Sequence, residues 1–359
     1  MANGGIFDPT SLPVRPGLYM RFVRAALAAI NGGARGVVAI PAFTYAVSAK
    51  KGVFYTLESV ADANELLGGT NAVPVKRVLE GGAKEVLVYT VPELIIPETE
   101  SVQFDALREA YSVQDFNVFV YPTVIKPVEQ TSTKAWVADC RNEGKHFIYV
   151  AGGSAEDDAD ITAGNARSVL LKDEYIVNLV TGVVLADGTE VQSGDYAAYI
   201  AGLIAGTAIN KSITYAELPV ADVTLRLKNS QVEDALISGS LVIVKDGNKV
   251  RIEQGITTDS NATERGKIRT TRGKQAIATD IPAAARDSYI GKVDNNPNGQ
   301  ASLIAAIKAY METLEKENVL MNPTVELDKQ YKSEGDKVFL AVAYTPVDSM
   351  ERIFLTITV

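Results

Sequence analysis

Strand-like and helix-like segments alternate along residues 84–210, and this alternation constrains the fold more than any other feature of the sequence. Four apolar runs rich in Val, Ile, Phe and Tyr are typical of buried strands: EVLVYTV, FNVFVYP, HFIYVAGG and YIVNLVTG. Helical patterns separate or follow them: DALREAYSV, TSTKAWVADCRNEG, DADITAGNARSVLLKDE and SGDYAAYIAGLIAGTAIN. Repeated β-α-β spacing predicts a parallel sheet covered by helices, and therefore an α/β domain.

The regions on either side have a different character. Residues 33–83 carry the short strand-like runs GVVAIPAF and GVFYTL, which indicate a small β-rich domain. Beyond about residue 230, a hairpin with Asp246-Gly247 at its turn, a long helix and further strands predict an α+β unit. We therefore expect five parts: an N-terminal arm and spacer (1–32), a small β-rich domain (33–83), a central α/β domain (84–229), a C-terminal α+β domain (230–350) and a C-terminal arm strand (351–359).

Two helical segments carry patterns that predict how they pack. The spacing of Gly202 and Gly206 predicts a face that another element approaches closely. In SLIAAIKAYMETLEKENVL, Glu312 and Lys316 are expected to pair on the exposed side of an amphipathic helix. The apolar stripe of that helix consists of Ile304, Ile307, Met311 and Leu314.

Both ends of the chain are strand-like. RPGLYMRF contains Pro16 and follows Pro13, and these two prolines exclude helix and favour an extended path. ERIFLTITV alternates in polarity, so that Ile353, Leu355 and Ile357 share one face. Because an apolar strand with open edges invites pairing with other chains, the ends raise the question of what they pair with.

Composition excludes several classes of function. A formal net charge of −9 argues against a general nucleic-acid binder, which needs clustered Lys and Arg. The single cysteine, Cys140, excludes an internal disulfide and fits a reducing compartment. No signal peptide is expected, because the first residues lack a basic segment followed by an apolar one. The longest uncharged apolar stretch, about residues 196–210, is too short to span a bilayer.

An α/β domain raises the hypothesis of an enzyme, but the sequence offers no catalytic constellation. It contains no phosphate-binding glycine motif, no zinc motif and only one histidine, His146. That histidine is more simply a strand-edge residue than a general base, and Cys140 a small buried residue. Asp139 and Ser154 lie in no nucleophile turn. The acidic run Glu156, Asp157, Asp158 and Asp160 lacks calcium-loop spacing and fits a helix N-terminus.

Four segments then resemble a known family by their order and position. RPGLYMRF, GVVAIP, YAAYIAGLIAGTAINKSITYAEL and YTPVDSMERIFLTITV occur in the order found in contractile phage tail sheath proteins. The chain most resembles the compact sheath subunits of phages, defective prophages and R-type bacteriocins of Gram-positive bacteria. The resemblance implies a small N-terminal β-sandwich, a central α/β domain with a subtilisin-like fold and a C-terminal α+β domain. The central domain has no usable Asp/His/Ser triad, so likeness of fold does not imply activity.

The resemblance also implies how the ends pair. In sheaths, terminal arms leave their own subunit and add strands to a sheet in the C-terminal domain of a neighbour. The receiving strands here would be TVELDK and KVFLAVAY, with Val325, Leu327, Val338, Leu340 and Val342. The arms by position are Arg15, Pro16, Gly17, Leu18, Tyr19, Met20, Arg21 and Phe22 at one end, and Arg352, Ile353, Phe354, Leu355, Thr356, Ile357, Thr358 and Val359 at the other.

The expected function is that of a structural subunit in hexameric rings, stacked helically around an inner tube, that contract and drive the tube through a target cell envelope. Expected partners are further copies of the chain, the tail tube protein, and baseplate and terminator proteins, with no direct nucleic-acid contact and no membrane insertion. The expected location is a virion tail or bacteriocin particle assembled in the host bacterial cytoplasm, and no cofactor is expected. Flexible joints are expected at AINGGARG and YTPVDS, and tube contact at Lys308, Glu312 and Lys316.

Two other interpretations stay open from the sequence. One is an α/β enzyme, hydrolase-like, with a divergent active site. The other is a monomeric surface or adhesion protein, against which the absence of a recognisable signal peptide counts.

Overall fold

The computed structural model describes residues 29, 30, 32, 33, 35–92, 100–260 and 265–358. The expected N-terminal arm, residues 15–22, and Val359 lie outside these residues. The strands are β1 (Val37–Ala42), β2 (Phe54–Leu57), β3 (Glu85–Thr90), β4 (Val118–Val120), β5 (Ile148–Ala151), β6 (Ile176–Leu179), β7 (Val183–Val184), β8 (Glu190–Val191), β9 (Glu217–Leu218), β10 (Asp222–Val223), β11 (Ser240–Leu241), β12 (Ile243–Asp246), β13 (Lys249–Ile252), β14 (Ile256–Ser260), β15 (Arg265–Lys267), β16 (Leu320–Leu327) and β17 (Leu340–Pro346).

The helices connect and cover these strands. None of those in the described part of the chain is both long and apolar enough to cross a membrane. A short 3₁₀ turn covers Gly69–Ala72. The helices are α1 (Val60–Leu67), α2 (Val73–Glu80), α3 (Glu100–Ser112), α4 (Pro127–Asn142), α5 (Ala155–Asp158), α6 (Ile161–Leu170), α7 (Ser193–Gly206), α8 (Asn229–Ile237), α9 (Ile268–Ser288) and α10 (Pro297–Lys316).

A seven-stranded sheet forms the centre of the molecule. Its strand order is β11-β6-β5-β4-β1-β3-β2. Every neighbouring pair is parallel except β2 with β3, which is antiparallel. Strands β3, β4, β5 and β6 come from the four apolar runs identified in the sequence. The predicted parallel α/β architecture is therefore confirmed.

The small β-rich domain and the β-sandwich expected at residues 33–83 are not present as a separate unit. β1 lies inside the large sheet, between β3 and β4, with Val38 opposite both Val86 and Val118. The segment resembles an independent β unit because its strands are short and close in sequence. Its partner β4 begins about 80 residues further on, and such long-range pairing leaves no local signal. The boundary between residues 83 and 84 therefore does not divide the sheet.

The expected boundary at residue 229/230 also falls inside one structural body. β11 lies beyond it and pairs in parallel with β6, with Ser240 opposite Asn178. The hairpin predicted at Asp246-Gly247 is confirmed, since β12 and β13 are antiparallel and Asp246 lies opposite Lys249. Gly247 has a φ of +59°, which is the conformation that the tight turn requires of this glycine.

Aromatic side chains fill one face of the sheet beneath α3 and α4. Phe119 of β4 makes edge contacts with Tyr111 of α3 and Trp136 of α4 at centroid distances of 5.3 and 5.0 Å. Tyr149 of β5 continues the cluster. Because such ring pairs bury large apolar areas, this layer fixes α3 and α4 on the sheet.

The two glycines in α7 allow it to lie directly on α2. A Cβ at Gly202 would collide with the carbonyl oxygen of Val78, and one at Gly206 with that of Gly82. Gly81 faces the backbone of Tyr199 in the same way. The predicted packed face is confirmed at Gly202, which is buried, whereas Gly206 touches the Gly82 backbone but is itself exposed.

A second, smaller core holds the C-terminal part together. It lies between α9, α10 and the β16–β17 pair, apart from the main core. Helix α9 was not predicted, because its threonines, glycine and internal Pro282 hide the helical period. On α10 the expected apolar stripe is buried at Ile307, Met311 and Leu314, whereas Ile304 is only half-buried.

Candidate functional site

The pair β16–β17, here called the ribbon, contains the strands predicted to receive arms. It is an antiparallel two-stranded sheet in which Val325 lies opposite Val342 and Leu327 opposite Leu340. Within the described chain, each ribbon strand has one outer edge that no other strand covers. A two-stranded sheet is marginal by itself, and here the ribbon gains support by packing against α10.

Two details of the ribbon differ from the sequence prediction. Strand β16 begins at Leu320 and contains an irregularity between Met321 and Thr324, where Pro323 cannot donate a backbone hydrogen bond. Val338 lies outside β17, so its assignment to a receiving strand is wrong. The Glu334–Lys337 bridge closes a turn just before Val338, and β17 begins only at Leu340.

The described part of the C-terminal arm, residues 352–358, belongs to no strand in the described chain. Its apolar side chains are almost fully accessible: Ile353 is 80% exposed, Phe354 92%, Leu355 79% and Ile357 75%. A soluble subunit rarely exposes adjacent large apolar side chains to this extent without a partner. The arm residues are therefore available to pair outside their own subunit.

The segment that leads into β1 is held by one buried aspartate. Asp280 of α9 accepts hydrogen bonds from Gly33 N at 2.9 Å, Arg35 Nη2 at 2.6 Å and Tyr310 Oη at 2.6 Å. Burial and the neighbouring Asp280 raise the pKa of Tyr310, so its hydroxyl remains a donor. Ile30 is buried in the second core. The joint expected at AINGGARG is therefore anchored at these positions.

The other expected joint, YTPVDS, is also held on both sides. Pro346 still belongs to β17, and Val347 N donates to Val319 O at 3.1 Å. Immediately beyond, the carboxylate of Glu351 is buried against Lys267, with only 7% of its side chain exposed. Neither Asp280 nor Glu351 was singled out from the sequence. Only the position of Glu351, as the one acidic residue at the start of the apolar C-terminal stretch, could have indicated a special role from the sequence.

The exposed face of α10 carries the three residues predicted to contact a tube. Lys308 and Glu312 form an ion pair at 4.0 Å, with 56% and 46% of their side chains exposed. Glu312 thus pairs with the lysine one turn before it, and the pairing expected with Lys316 is wrong. Exposed pairs of this kind contribute little stability, so they are easily exchanged for other contacts.

His146 lies at the wrong end of the sheet for a typical α/β active site. It precedes β5, whereas ligands in open parallel sheets bind at the carboxyl ends of the strands. Its Nδ1 is 3.2 Å from Tyr175 Oη, and burial together with nearby Arg141 lowers its pKa. It lines a cleft of about 800 Å³ beside Lys145. Burial lowers the pKa of Lys145 to about 8, and its ammonium donates to the carbonyl of Tyr111.

The other chemically interesting residues have structural partners. Cys140 is buried, and burial raises its pKa. Ser154 caps α5 by accepting from Asp157 N at 3.3 Å. Asp157 pairs with Arg167 at 2.7 Å, and buried Asp158 accepts from the Ser193 hydroxyl at 2.5 Å. Among the residues that the structure describes, no cluster of three or more His, Cys, Asp or Glu side chains could hold a metal ion.

Sequence comparison assigns most of the chain to one family. The family model described as phage tail sheath protein central domain matches residues 103–258, and the one described as phage tail sheath C-terminal domain matches residues 260–359. The tail sheath protein of Clostridium phage phiCD119 is 26% identical over 289 residues, which cover 79% of this chain and 77% of the relative.

Solved structures show the same fold. The sheath tail protein of Desulfitobacterium hafniense superposes with a TM-score of 0.71 at 18% identity, covering 92% of this chain and all of the other. The helical sheath of the anti-feeding prophage in its contracted state gives a TM-score of 0.73 at 17% identity, covering 97% of this chain and 99% of the other. The chain therefore belongs to the family of contractile phage tail sheath proteins.

Proposed function

We propose that this sheath protein assembles into hexameric rings, stacked helically around an inner tube, by donating both terminal arms to neighbouring subunits. Each arm adds a strand to an open edge of a neighbour's ribbon. The contact is heterologous, since one subunit donates and the other receives, and such contacts propagate into helical assemblies. The rings and the arms together form a continuous mesh.

One observation carries this proposal. An exposed apolar segment, residues 352–358, stands unpaired in the same subunit as a two-stranded ribbon with an uncovered edge on each side. Strand addition would satisfy both at once, because the ribbon gains backbone hydrogen bonds and the arm buries its side chains. Residues 15–22 are proposed as the second arm from their pattern of alternating apolar residues after prolines.

The proposed mechanism of contraction is a rearrangement of subunits as rigid bodies. The extended sheath is metastable, and the energy stored in its contacts between subunits is released when they rotate and slide. The exchanged strands keep the mesh continuous, and shortening drives the tube through a cell envelope. The polar face of α10, at Lys308, Glu312 and Lys316, is proposed to contact the tube, because exposed charge pairs break at low energetic cost.

The proposed setting follows from the same function. The chain is a structural subunit without catalytic activity or cofactor, and its central domain has a subtilisin-like fold without a triad. Its partners are the tube protein, baseplate and terminator proteins, and it contacts neither nucleic acid nor membrane directly. It assembles in the host bacterial cytoplasm and becomes part of a virion tail or bacteriocin particle.

Truncation after Arg352 tests strand donation and leaves the buried Glu351 in place. Because the ribbon and its core do not depend on the arm, the shortened subunit should remain folded by circular dichroism and run as a monomer on size exclusion. Negative-stain microscopy should show tubes for the full chain and none for the truncation. Normal tubes from the truncated protein would overturn the proposal.

Proline substitutions separate backbone pairing from side-chain burial. Backbone N–H groups of consecutive strand residues point to opposite sides, so either Phe354→Pro or Leu355→Pro must remove an inter-strand bond. The matched controls Phe354→Thr and Leu355→Thr keep the N–H and a good strand former. At least one proline variant should abolish tubes while its threonine control still forms them. Tubes from both proline variants would exclude strand addition by this arm.

A further inference from the structure

At the start of the C-terminal arm, the charged residue Glu351 is buried while the apolar residues around it are exposed. Its side chain is 7% exposed, although Met350 before it is 90% exposed and Ile353 after it is 80% exposed. A lone carboxylate is costly to bury unless partners stabilise its charge. The surroundings of Glu351 must therefore supply those partners.

Three side chains from separate parts of the chain contact this carboxylate, and the nearby Ser349 Oγ also donates to its Oε1 at 3.2 Å. Thr214 Oγ1 donates to Oε1 at 2.7 Å, and Gln254 Nε2 donates to Oε2 at 2.6 Å. The ammonium of Lys267, itself only 12% exposed, forms an ion pair with Oε2. We call Thr214, Gln254 and Lys267 the arm socket. The sequence that matches the sheath central-domain model contains Thr214 and Gln254, so the arm socket lies largely in the central body.

Within the arm socket, Thr214 is held in place by its own hydrogen bonds. The Thr214 hydroxyl accepts from Gly255 N at 2.9 Å and from Ser212 Oγ at 2.9 Å, and thus has only its proton left for Glu351. The next residue, Tyr215, has a φ of +58°, which a bulky side chain rarely adopts. Its N–H donates to Ile252 O at 2.8 Å, and this bond holds the turn in that conformation. Backbone strain is retained mainly at functional sites, and here it lies beside a buried carboxylate.

We propose that the arm socket anchors the base of the C-terminal arm to the central body of its own subunit. Only Arg352 separates the anchor from the apolar segment that begins at Ile353, so the two are about 6.6 Å apart along an extended chain. The anchor therefore fixes where and in which direction the arm leaves the body. This inference rests on the proposed function. If the arm is donated to a neighbour, a force that pulls on the arm is transmitted through Glu351 to the central body and does not act on the ribbon.

The chain offers a matched control for the anchor. Asp348 is a second carboxylate near the same lysine, but its Oδ2 lies 3.8 Å from Lys267 Nζ and its side chain is 46% exposed. Glu351→Gln and Asp348→Asn each remove one negative charge near Lys267. Only the first removes a buried contact, so the two variants separate the anchor from general charge effects.

Trypsin cleavage of the isolated subunit after Arg352 measures the anchor without any sheath. A protease needs several extended residues on both sides of the bond, so the arm must leave its socket before cleavage. Thr214→Val removes one donor and leaves the cleaved sequence unchanged. It should raise the cleavage rate after Arg352 about fivefold, and Glu351→Gln about tenfold after correction by a peptide of residues 347–358.

Internal reference sites keep this assay interpretable. Lys329 and Lys332 lie in the exposed loop before β17, with 84% and 83% of their side chains accessible. Cleavage after these two lysines should not change in any variant, and Asp348→Asn should behave as the unmodified protein. If Glu351→Gln fails to fold, Thr214→Val decides alone. Equal rates after Arg352 in Thr214→Val and the unmodified chain would overturn the anchor.

Assembly of the same variants tests what the anchor does. Glu351→Gln subunits should form sheaths that contract at a lower temperature or urea concentration than unmodified sheaths, while Asp348→Asn sheaths should not differ. Faster cleavage without any change in sheath behaviour would overturn the mechanical role. If the unmodified chain formed no sheath at all, the proposed function would fail while the cleavage result still decided the anchor.

Discussion

At the scale of single residues, two buried carboxylates hold the segment that leads into β1 and the segment that follows β17. Asp280 and Glu351 each accept hydrogen bonds from distant parts of the sequence, Asp280 from the segment just before β1 and Glu351, which lies just after β17, from Thr214 and Gln254. Neither belongs to a recognisable motif. Sequence reasoning missed them because a single Asp or Glu acquires meaning only from partners that the fold brings together.

Asp280→Asn should destabilise the protein. The amide loses the ion pair to Arg35 and places a donor among three donors, while Arg35 is 30% exposed and can be partly rehydrated. We therefore expect a loss of about 2–4 kcal/mol in the free energy of unfolding. The control Arg226→Gln breaks an exposed pair, in which Arg226 is 68% exposed, and should change stability by less than about 0.5 kcal/mol. Urea denaturation of both variants provides the measurement, and equal effects would contradict the role of Asp280.

The Glu351 anchor should also be sensitive to acid. Burial raises the pKa of Glu351, but hydrogen bonds from the arm socket outweigh it and hold the pKa below its usual value. A carboxyl group with a lower pKa when folded stabilises the folded state above its unfolded pKa of about 4.3, and this contribution disappears as the pH falls through the folded pKa. Lys267 faces this carboxylate, and Asp348 lies 3.8 Å from the same ammonium.

The difference in unfolding free energy between the unmodified chain and Glu351→Gln should accordingly be largest near neutral pH. It should shrink as the pH falls below about 4, because both proteins then carry a neutral group at this position. Urea denaturation at a series of pH values measures it. A difference that grew on acidification would contradict the sign of the pKa shift.

At the scale of secondary-structure elements, the sequence predicts what depends on local pattern. Alternating strands and helices predicted the parallel sheet, and the turn at Asp246-Gly247 predicted its hairpin. The joining of β1 to β4 was missed, since no local feature encodes a partner so far along the chain. Helix α9 was missed because its apolar period is weak and its buried Arg269 and Arg272 resemble surface residues.

Those arginines show how tertiary contacts override pattern. Arg272 Nη2 donates to Thr207 O at 2.6 Å and so satisfies a carbonyl at the C-terminal end of α7. Burial, with a contribution from nearby Arg35, lowers its pKa to about 10. A positive charge at a helix C-terminus is favourable, which accounts for a buried arginine that the sequence could not predict.

The contact of α2 with α7 gives a prediction at this scale. Gly202→Ala places a methyl group against the carbonyl of Val78, and backbone cannot move aside easily. Destabilisation of at least about 2 kcal/mol is expected. Gly273→Ala in α9 is the control, because its methyl would meet only a Val319 methyl at 3.2 Å, and better helix propensity offsets that contact. Thermal melting compares them, and a neutral Gly202→Ala would refute close packing.

At the scale of the whole molecule, the subunit has a large rigid body, a small second core and an arm with exposed apolar side chains. The main core and the α/β sheet give the body its rigidity. The ribbon at the second core has an open edge on each side, which a compact monomer would normally cover. This division of one chain into a stiff body, an open-edged ribbon and an exposed arm is what the proposed sheath requires, since its subunits would move without separating.

Disulfide trapping in assembled particles tests the central claim, that the C-terminal arm pairs with the ribbon of a neighbour. Leu355→Cys would be combined with Glu326→Cys on β16 or with Ala343→Cys on β17. The single native thiol, Cys140, is buried and contributes little background. Neighbouring positions on both strands would be scanned in the same way, because disulfides form only between closely opposed residues.

After mild oxidation of tubes, a non-reducing gel should show a ladder of dimers, trimers and longer chains for at least one pair of positions, and each single-cysteine variant should remain monomeric. The ladder is expected because, in the proposed sheath, every subunit both donates and receives an arm. Tubes whose subunits stay monomeric across the whole scan, or form only a disulfide within one chain, would contradict strand donation between subunits.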